Sequence, residues 1–325
     1  MTKSYFIRIK EYIKLQRIKL IESRRSIEDD FNGRVMCLFS SPRGGSTWLL
    51  EALNNMGEFV PINEPFFQGK LRTDGIMPSF STGRPYLNEL NFWFHQPLAE
   101  GYKSVEEEVV FRRLFSGKYL HPDLTRYSSI DQLRNAKRFL VKFCYGNLML
   151  PWIVENFNVA AICLIRHPCA VIASQLNVKG AFDHIIACPK FDFPAFFNVE
   201  YFSQFDPILR NISSPEGILA AIWSMTVKHV VEHPANNLKW HTLKYEDLLR
   251  DPAVELNKIV TRYPEFEWSG ATVDANIPSQ STLDPKLESY LLNNSQETKW
   301  KSQLTIKQID NIFEVVDSFG VIIYN

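Results

Sequence analysis

The stretch Val35–Leu53, VMCLFSSPRGGSTWLLEAL, constrains the fold of this chain more than any other. Its first five residues are a short apolar run, which is typical of a strand buried on both faces. The adjacent glycines Gly44 and Gly45 let the backbone turn sharply and approach a ligand. Ser46 or Thr47 is expected to cap the helix that follows. Since a helix N-terminus offers free N–H groups and the positive end of a dipole, the stretch predicts a phosphate site.

The loop differs from the nucleotide-hydrolysing P-loop, in which a lysine follows the last glycine and reaches the terminal phosphates. Here Ser46 follows Gly45 directly, and the cation, Arg43, precedes the glycines. A nucleotide kinase or ATPase is therefore disfavoured. An ordinary turn, whose glycines serve packing alone, remains open at this point.

Composition narrows the class of protein. Lys+Arg and Asp+Glu number 36 each in 325 residues, so no net charge favours nucleic acid as a partner. Five cysteines without close pairs or metal-ligand spacing indicate reduced thiols and no metal site. No apolar run approaches the roughly 18 residues of a membrane span. With no secretory signal visible, we expect a cytoplasmic protein.

Residues 1–30 are predicted to form a helix set apart from a domain at 31–325. Eight Lys or Arg and two Glu lie between Lys3 and Arg25. The apolar residues share one stripe at helical spacing: Tyr5, Phe6, Ile9, Tyr12, Ile13 and Leu20. A basic amphipathic helix can bind an anionic membrane surface, so peripheral membrane contact through residues 1–25 is one interpretation. Packing against the domain or a partner is the other. The sequence leaves the oligomeric state open.

Strand-like and helix-like segments alternate through the rest of the chain. Four further strands are predicted: Phe59–Ile62, Arg138–Cys144, Val159–Ile165 and Leu238–Tyr245. Helices are expected at Val105–Phe115, Leu148–Asn156, Cys169–Leu176, Pro215–Val231, Ala253–Tyr263 and Thr305–Phe319. Loops are expected at Gly69–Pro85, Ala181–Ile212 (a loop or lid) and Ser269–Leu287. The alternation predicts an α/β fold, a central parallel sheet flanked by helices.

Polar residues follow several of these strands. Glu64 comes just after the second strand, where functional residues of open parallel sheets collect, so it is a candidate acid or base. Lys142 lies near the end of the third strand. Arg166 follows the fourth, with Ser174 two turns into the next helix. A guanidinium and a hydroxyl at this spacing can hold a second phosphate.

These residues resemble a known family, the sulfotransferases that use 3′-phosphoadenosine 5′-phosphosulfate (PAPS). The loop that holds the 5′-phosphosulfate in that family matches Pro42, Arg43, Gly44, Gly45, Ser46, Thr47 and Trp48. Its 3′-phosphate pair, an arginine and a serine eight residues later, matches Arg166 and Ser174. A tyrosine that contacts the nucleotide matches Tyr245. A late segment that closes over the 3′-phosphate matches Lys299, Trp300 and Lys301. The similarity runs from about Val35 to Phe319.

The resemblance implies sulfuryl transfer from PAPS to a hydroxyl, without a metal. The phenol and steroid branch has a Lys-x-His pair, but Cys144 stands two residues after Lys142 here. Carbohydrate-type and bacterial relatives use a glutamate in a Glu-Pro context, which Glu64 fits. The resemblance thus implies Glu64 as base, with Arg43 and Lys142 as charge-stabilising groups. A carbohydrate or glycolipid acceptor is expected. A lipid or sterol-like alcohol, or a non-catalytic nucleotide-binding or membrane-associated protein, are the alternatives.

Overall fold

A computed structural model describes residues 2–65, 97–103, 105–122, 124–178, 182, 199–269 and 297–324. The loop expected at Gly69–Pro85 lies outside these residues. So do all but Ser269 of the loop expected at Ser269–Leu287, and much of the segment Ala181–Ile212. The described end of that last segment contains two short helices rather than loop alone, Val199–Ser203 and Asp206–Leu209.

The described strands form one five-stranded parallel sheet. They are β1 (Val35–Ser40), β2 (Val60–Asn63), β3 (Phe139–Phe143), β4 (Ala160–Ile165) and β5 (His241–Lys244). Their order across the sheet is β2-β3-β1-β4-β5, so β1 lies at the centre. All five were expected from the sequence. The α/β prediction of a parallel sheet flanked by helices is confirmed.

The described helices cover both faces of this sheet. They are α1 (Thr2–Arg24), α2 (Ser46–Gly57), α3 (Val105–Phe115), α4 (Ile130–Asn135), α5 (Leu150–Asn156), α6 (Pro168–Leu176), α7 (Val199–Ser203), α8 (Asp206–Leu209), α9 (Pro215–Val231), α10 (Tyr245–Arg250), α11 (Pro252–Arg262) and α12 (Ile306–Ser318). Short 3₁₀ turns occupy Asn147–Met149, Pro264–Phe266 and Lys299–Ser302. Among these helices, none is both long and apolar enough to cross a bilayer.

Alternate residues of each central strand enter two separate hydrophobic cores, because side chains of a strand point to opposite faces. In β1, Cys37 and Phe39 join the larger core, which also holds residues of α3, α5, α6, α9 and α12. Met36 and Leu38 join the smaller core, beneath α2 and α11. Lys142 of β3 shares the parity of Leu140, a residue of this second core, and therefore points toward α2.

Helix α1 packs on the larger core through its inner face. The side chains of Ile18 and Ile21 belong to that core or pack against it. Tyr12, Ile13 and Leu20, which the sequence placed on one apolar stripe, are exposed. The described part of that stripe therefore faces away from the domain, because the isoleucines on the opposite side make the contact. The division of the chain at residue 30 stays a prediction.

A candidate anion and acid–base site at the sheet edge

Each of the five strands delivers a polar or aromatic residue to the same edge of the sheet. The loop 41–45 follows β1, Glu64 follows β2 and Cys144 follows β3. Arg166 follows β4, and Tyr245 follows β5. Because the strands are parallel, their carboxyl ends meet at one edge, and the central position of β1 places its loop between the others. This edge is the candidate site.

The loop after β1 is held by unusual backbone angles. Arg43 has φ 70° and Gly45 has φ 90°, both in the left-handed region. The N–H of Gly44 donates to the Ser41 carbonyl at 2.9 Å. Arg43 carries a side chain in a conformation that favours glycine, and such strain is concentrated at functional sites.

The predicted cap of α2 is wrong. The N-cap residue is Gly45, without a side-chain hydrogen bond, and Ser46 and Thr47 lie in the first helical turn. Gly45 takes the cap position because its φ of 90° is available to glycine at no steric cost. The first N–H groups of α2 therefore stay available to a ligand, and both hydroxyls are free to bind other side chains.

Two guanidinium groups come together beside this loop. The Arg43 Nε donates to the Ser174 Oγ at 3.0 Å, and an Arg166 terminal nitrogen donates to the Arg43 carbonyl at 3.1 Å. Gln175 also donates to the Pro42 carbonyl, at 3.0 Å. Burial, together with the positive charge of Arg166, lowers the pKa of Arg43. Within the described part of the chain, neither guanidinium lies within 4.0 Å of a carboxylate. Two half-buried cations without a described carboxylate partner favour an anionic ligand.

Glu64 forms an ion pair with a buried lysine. The Lys142 Nζ lies 2.9 Å from the Glu64 Oε1 and donates to the Thr47 Oγ1 at 3.1 Å. The Lys142 side chain is 2% exposed and that of Glu64 24%. Burial acts to lower the pKa of Lys142, whereas the charge of Glu64 and its hydrogen bond to Nζ act to raise it, and the pKa lies above its usual value. Lys142 therefore stays cationic at neutral pH.

The backbone fixes Glu64 in this position. Glu64 has φ 52°, and its N–H donates to the Lys142 carbonyl at 2.8 Å. A glutamate in the left-handed region is uncommon, and the bond to β3 holds it there. The carboxylate is thus presented to solvent at the sheet edge while one of its oxygens is bound to the interior lysine.

Cys144 was noted in the sequence only as the residue at the family's histidine position. Its Sγ lies 3.5 Å from the Glu64 Oε1 and 3.6 Å from the Ser46 Oγ. Burial, followed by the charge of Glu64, raises its pKa to about 12, so the thiol keeps its proton. No sequence pattern could have identified this contact, since it depends on the pairing of β2 with β3.

Aromatic rings enclose the other side of the cluster. The Tyr245 ring packs on the Arg166 guanidinium, 4.6 Å from centroid to Cζ. His167 stacks on Trp300 with ring centroids 4.8 Å apart. Burial, with the charges of Lys301 and Arg166, lowers the pKa of His167 to about 4, so it is neutral at pH 7.

Some of the other predicted site residues contact the groups at this sheet edge, and others do not. Trp300 and Lys301 lie beside His167. Trp48 packs against the smaller core and is partly buried. Among the described contacts, none joins the Lys299 side chain to Arg166 or Ser174. Sequence reasoning missed Tyr324, whose hydroxyl donates to the Glu246 carboxylate at 2.6 Å, while the other oxygen of Glu246 accepts from the His167 N–H at 3.0 Å.

Metal ligands do not gather in this region. Over the residues that the structure describes, no group of three or more His, Cys, Asp or Glu side chains could hold a metal ion. The charged groups that converge at the edge are instead cations facing one carboxylate. This arrangement can bind an anion and accept a proton beside it.

No protein-family model and no curated protein matches the chain. Solved structures with a similar arrangement include the sulfotransferase domain from the Synechococcus PCC 7002 olefin synthase, 17% identical, covering 93% of this chain and 99% of that one, with a TM-score of 0.45. The sulfotransferase domain from the curacin biosynthetic pathway is 20% identical and covers 88% and 97%, with a TM-score of 0.41. A mouse sulfotransferase complexed with PAP is 14% identical and covers 93% and 90%, also with a TM-score of 0.41. At these values the likenesses assign no activity, donor or acceptor to this chain.

Proposed function

We propose that this protein is an enzyme that transfers a sulfuryl group from PAPS to a hydroxyl of an acceptor. The observation that carries this proposal is the pairing of Arg43 and Arg166, which have no described carboxylate partner, with the Glu64–Lys142 ion pair at the same sheet edge. An anion site next to a carboxylate base is what in-line transfer from an anionic donor requires.

The donor would bind along the cluster of cations. Arg43 and the backbone N–H groups of Gly45–Trp48, with the hydroxyls of Ser46 and Thr47, would hold its 5′-phosphosulfate at the N-terminus of α2. Arg166 and Ser174 would hold its 3′-phosphate. The Ser174 hydroxyl accepts from Arg43, so its own proton remains available for a phosphate oxygen. The nucleotide would lie against Tyr245, with Lys299, Trp300 and Lys301 closing over it.

The acceptor hydroxyl would approach Glu64. Its oxygen forms a bond to sulfur while the bond from sulfur to the bridging oxygen breaks, and that electron pair goes to the 5′-phosphate. The hydroxyl proton goes to the Glu64 carboxylate, a step that typically contributes a factor of about 10² to 10⁴. Arg43 and Lys142 would offset the negative charge that develops on the leaving group and the transferred sulfuryl. None of these steps requires a metal.

Acceptor and location are part of the same proposal. A carbohydrate or glycolipid acceptor fits the use of Glu64 as base, while a lipid or sterol-like alcohol is the alternative. We place the protein in the cytoplasm, with the outer face of the helix within residues 1–30 in contact with an anionic membrane surface. The exposed side chains of Tyr12, Ile13 and Leu20, close in sequence to the exposed Arg17 and Lys19, support that contact.

The test uses PAPS with a labelled sulfuryl group and a panel of sugar, glycolipid, sterol and phenol acceptors. Wild type is expected to label at least one alcohol. Glu64→Gln should reduce the rate about 10² to 10⁴-fold while keeping its affinity for 3′-phosphoadenosine 5′-phosphate (PAP). Glu58→Gln is the matched control, because Glu58 also has positive φ (51°) but caps the far end of α2.

Donor binding is measured separately by calorimetry with PAP and with ATP. Arg166→Ala should weaken PAP binding roughly 10-fold or more, the effect of losing one charged hydrogen bond. Arg250 is an exposed arginine on α10, and Arg250→Ala should leave the affinity for PAP unchanged. Equal affinity for ATP and PAP would favour a triphosphate enzyme, and PAP binding without any transfer would favour a non-catalytic protein.

A further inference from the structure

Cys144 differs from the other described cysteines in what surrounds it. Cys37, Cys163 and Cys169 lie within the larger apolar core, and no hydrogen bond joins their thiols to another described residue. Cys144 forms a small cluster of its own with Tyr145 and lies beside two oxygens, the Glu64 Oε1 at 3.5 Å and the Ser46 Oγ at 3.6 Å. A buried cysteine usually acts as a small apolar side chain, whereas this one lies between polar groups.

The direction of the bond to Glu64 follows from the chemistry of the two groups. An ionised carboxylate only accepts hydrogen bonds, and the thiol is protonated at neutral pH because burial raises its pKa. The Cys144 S–H therefore donates to the Glu64 Oε1. The Ser46 hydroxyl can then donate to the sulfur.

Both partners of the Glu64 carboxylate bind the same oxygen. The Lys142 Nζ and the Cys144 Sγ both lie at Oε1. Over the described residues, Oε2 has no hydrogen-bond partner. Two donors on one oxygen hold the plane of the carboxylate and leave the lone pairs of Oε2 for an incoming proton.

The same contacts join the carboxylate to the first turn of α2. Lys142 reaches Thr47, and Cys144 reaches Ser46, so two neighbouring hydroxyls of the loop–helix junction are linked to Oε1 by one side chain each. The distance between the anion-binding turn and the carboxylate is thereby fixed. Reactions of this kind lose rate when a base moves by about 1 Å.

We propose that Cys144 is a positioning residue, which orients the Glu64 carboxylate so that Oε2 faces the acceptor hydroxyl and which ties it to Ser46 of the donor loop. This role rests on the proposed sulfuryl transfer. Cys144 touches neither substrate. It acts through Glu64, and serine is the conservative replacement, since its hydroxyl can donate to the same oxygen.

The first experiment measures the bond without any substrate. The S–H stretching band in the infrared moves to lower frequency when a thiol donates to a carboxylate. Comparison of wild type with Cys144→Ser identifies the Cys144 band, and Glu64→Gln should move it to higher frequency. The matched control is Cys163, which is 1% exposed and whose pKa is also raised to about 12. Comparison of wild type with Cys163→Ser identifies the Cys163 band, and Glu64→Gln should leave that band in place. A Cys144 band that stays in place in Glu64→Gln overturns the proposal.

The second experiment measures transfer and PAP binding. Cys144→Ala should lower kcat about threefold to tenfold, the effect of one hydrogen bond, with the KM for donor and the affinity for PAP unchanged. Cys144→Ser should recover most of the rate, and Cys163→Ala should match wild type. Circular dichroism confirms that each variant is folded.

The two proposals fail in different ways. An equal kcat for wild type and Cys144→Ala in an active enzyme removes the positioning role and leaves sulfuryl transfer intact. A wild type that binds no PAP and transfers no sulfuryl group removes the proposed function, and the positioning role with it, even where the infrared band reports the thiol–carboxylate bond.

Discussion

Gly45 lies where the loop after β1 contacts Tyr245. It has φ 90° at the N-cap of α2, and a Cβ added there would overlap the ring of Tyr245. Tyr245 in turn packs on the Arg166 guanidinium. The absence of a side chain at Gly45 therefore lets Tyr245, which follows β5, close against the β1 loop and hold an arginine that follows β4.

We expect Gly45→Ala to lose both stability and donor affinity. The left-handed backbone angle and the displacement of the Tyr245 ring each destabilise the folded variant. Together they should lower its free energy of unfolding by about 2–4 kcal/mol. Displacement of Tyr245 should also weaken PAP binding, because Arg166 loses the ring that holds it. Urea unfolding and calorimetry with PAP measure the two effects.

Gly101→Ala is the matched control for this variant. Gly101 has a similar angle, φ 73°, but an added Cβ meets nothing within 4 Å. The Gly101→Ala variant should lose about 1 kcal/mol of unfolding free energy, from the backbone angle alone, and should bind PAP as wild type does. Equal losses in the two variants would show that the Tyr245 ring does not limit the site.

Helix α1 has two different faces. Ile18 is 1% exposed on the inner face, where Glu22 accepts from the Leu120 N–H at 2.6 Å. Just beyond the helix, Arg25 donates to the Leu133 carbonyl at 2.8 Å. Leu20 is 52% exposed on the outer face. The inner face serves packing against the domain, and the outer face is free of that role.

The two faces should respond oppositely to substitution. Ile18→Ala should lower the free energy of unfolding by about 2–4 kcal/mol, because it leaves a cavity in a packed core, whereas Leu20→Ala should change it by less than about 0.5 kcal/mol. In co-sedimentation with vesicles that contain anionic lipid, Leu20→Glu should bind the vesicles more weakly than wild type. Ile18→Ala should bind them as well as wild type does. Equal vesicle binding by wild type and Leu20→Glu would contradict membrane contact through this face.

At the scale of the whole molecule, partly buried histidines make stability depend on pH. Burial lowers the pKa of His229 to about 4, with a further contribution from His233. His167 is lowered to about 4 as well. Between pH 4 and pH 6.5 the unfolded chain binds a proton at each of these positions and the folded chain does not. The stabilisation is therefore complete above about pH 6.5 and is lost as pH falls toward 4.

His229→Leu should reduce this pH dependence. Each such histidine contributes a slope of about 1.4 kcal/mol per pH unit in that window, so the variant should lose one such slope between pH 6.5 and pH 4. Urea unfolding at several pH values measures it for both proteins. The same slope in wild type and variant would mean that His229 is not buried in its neutral form.

Local pattern determined much of this fold. The apolar runs fixed β1 through β4 to within one or two residues, since a strand buried on both faces needs such a run. The same runs also gave the residues that follow each strand, and hence Arg43, Glu64 and Arg166 at one edge. The strand β5 was predicted as Leu238–Tyr245 but begins at His241, because Leu238 is exposed and lies before the sheet pairing starts.

Only the tertiary structure decided which of these residues touch. The strand order places β2 beside β3, and this pairing alone brings Lys142 and Cys144 to Glu64. Arg43 and Ser174 are 131 positions apart and meet because β1 lies beside β4. Apolar runs of similar composition can pair in many orders, so the sequence identified the groups that the site contains. Packing between the strands and α2 determined their distances, and the chemistry depends on those distances.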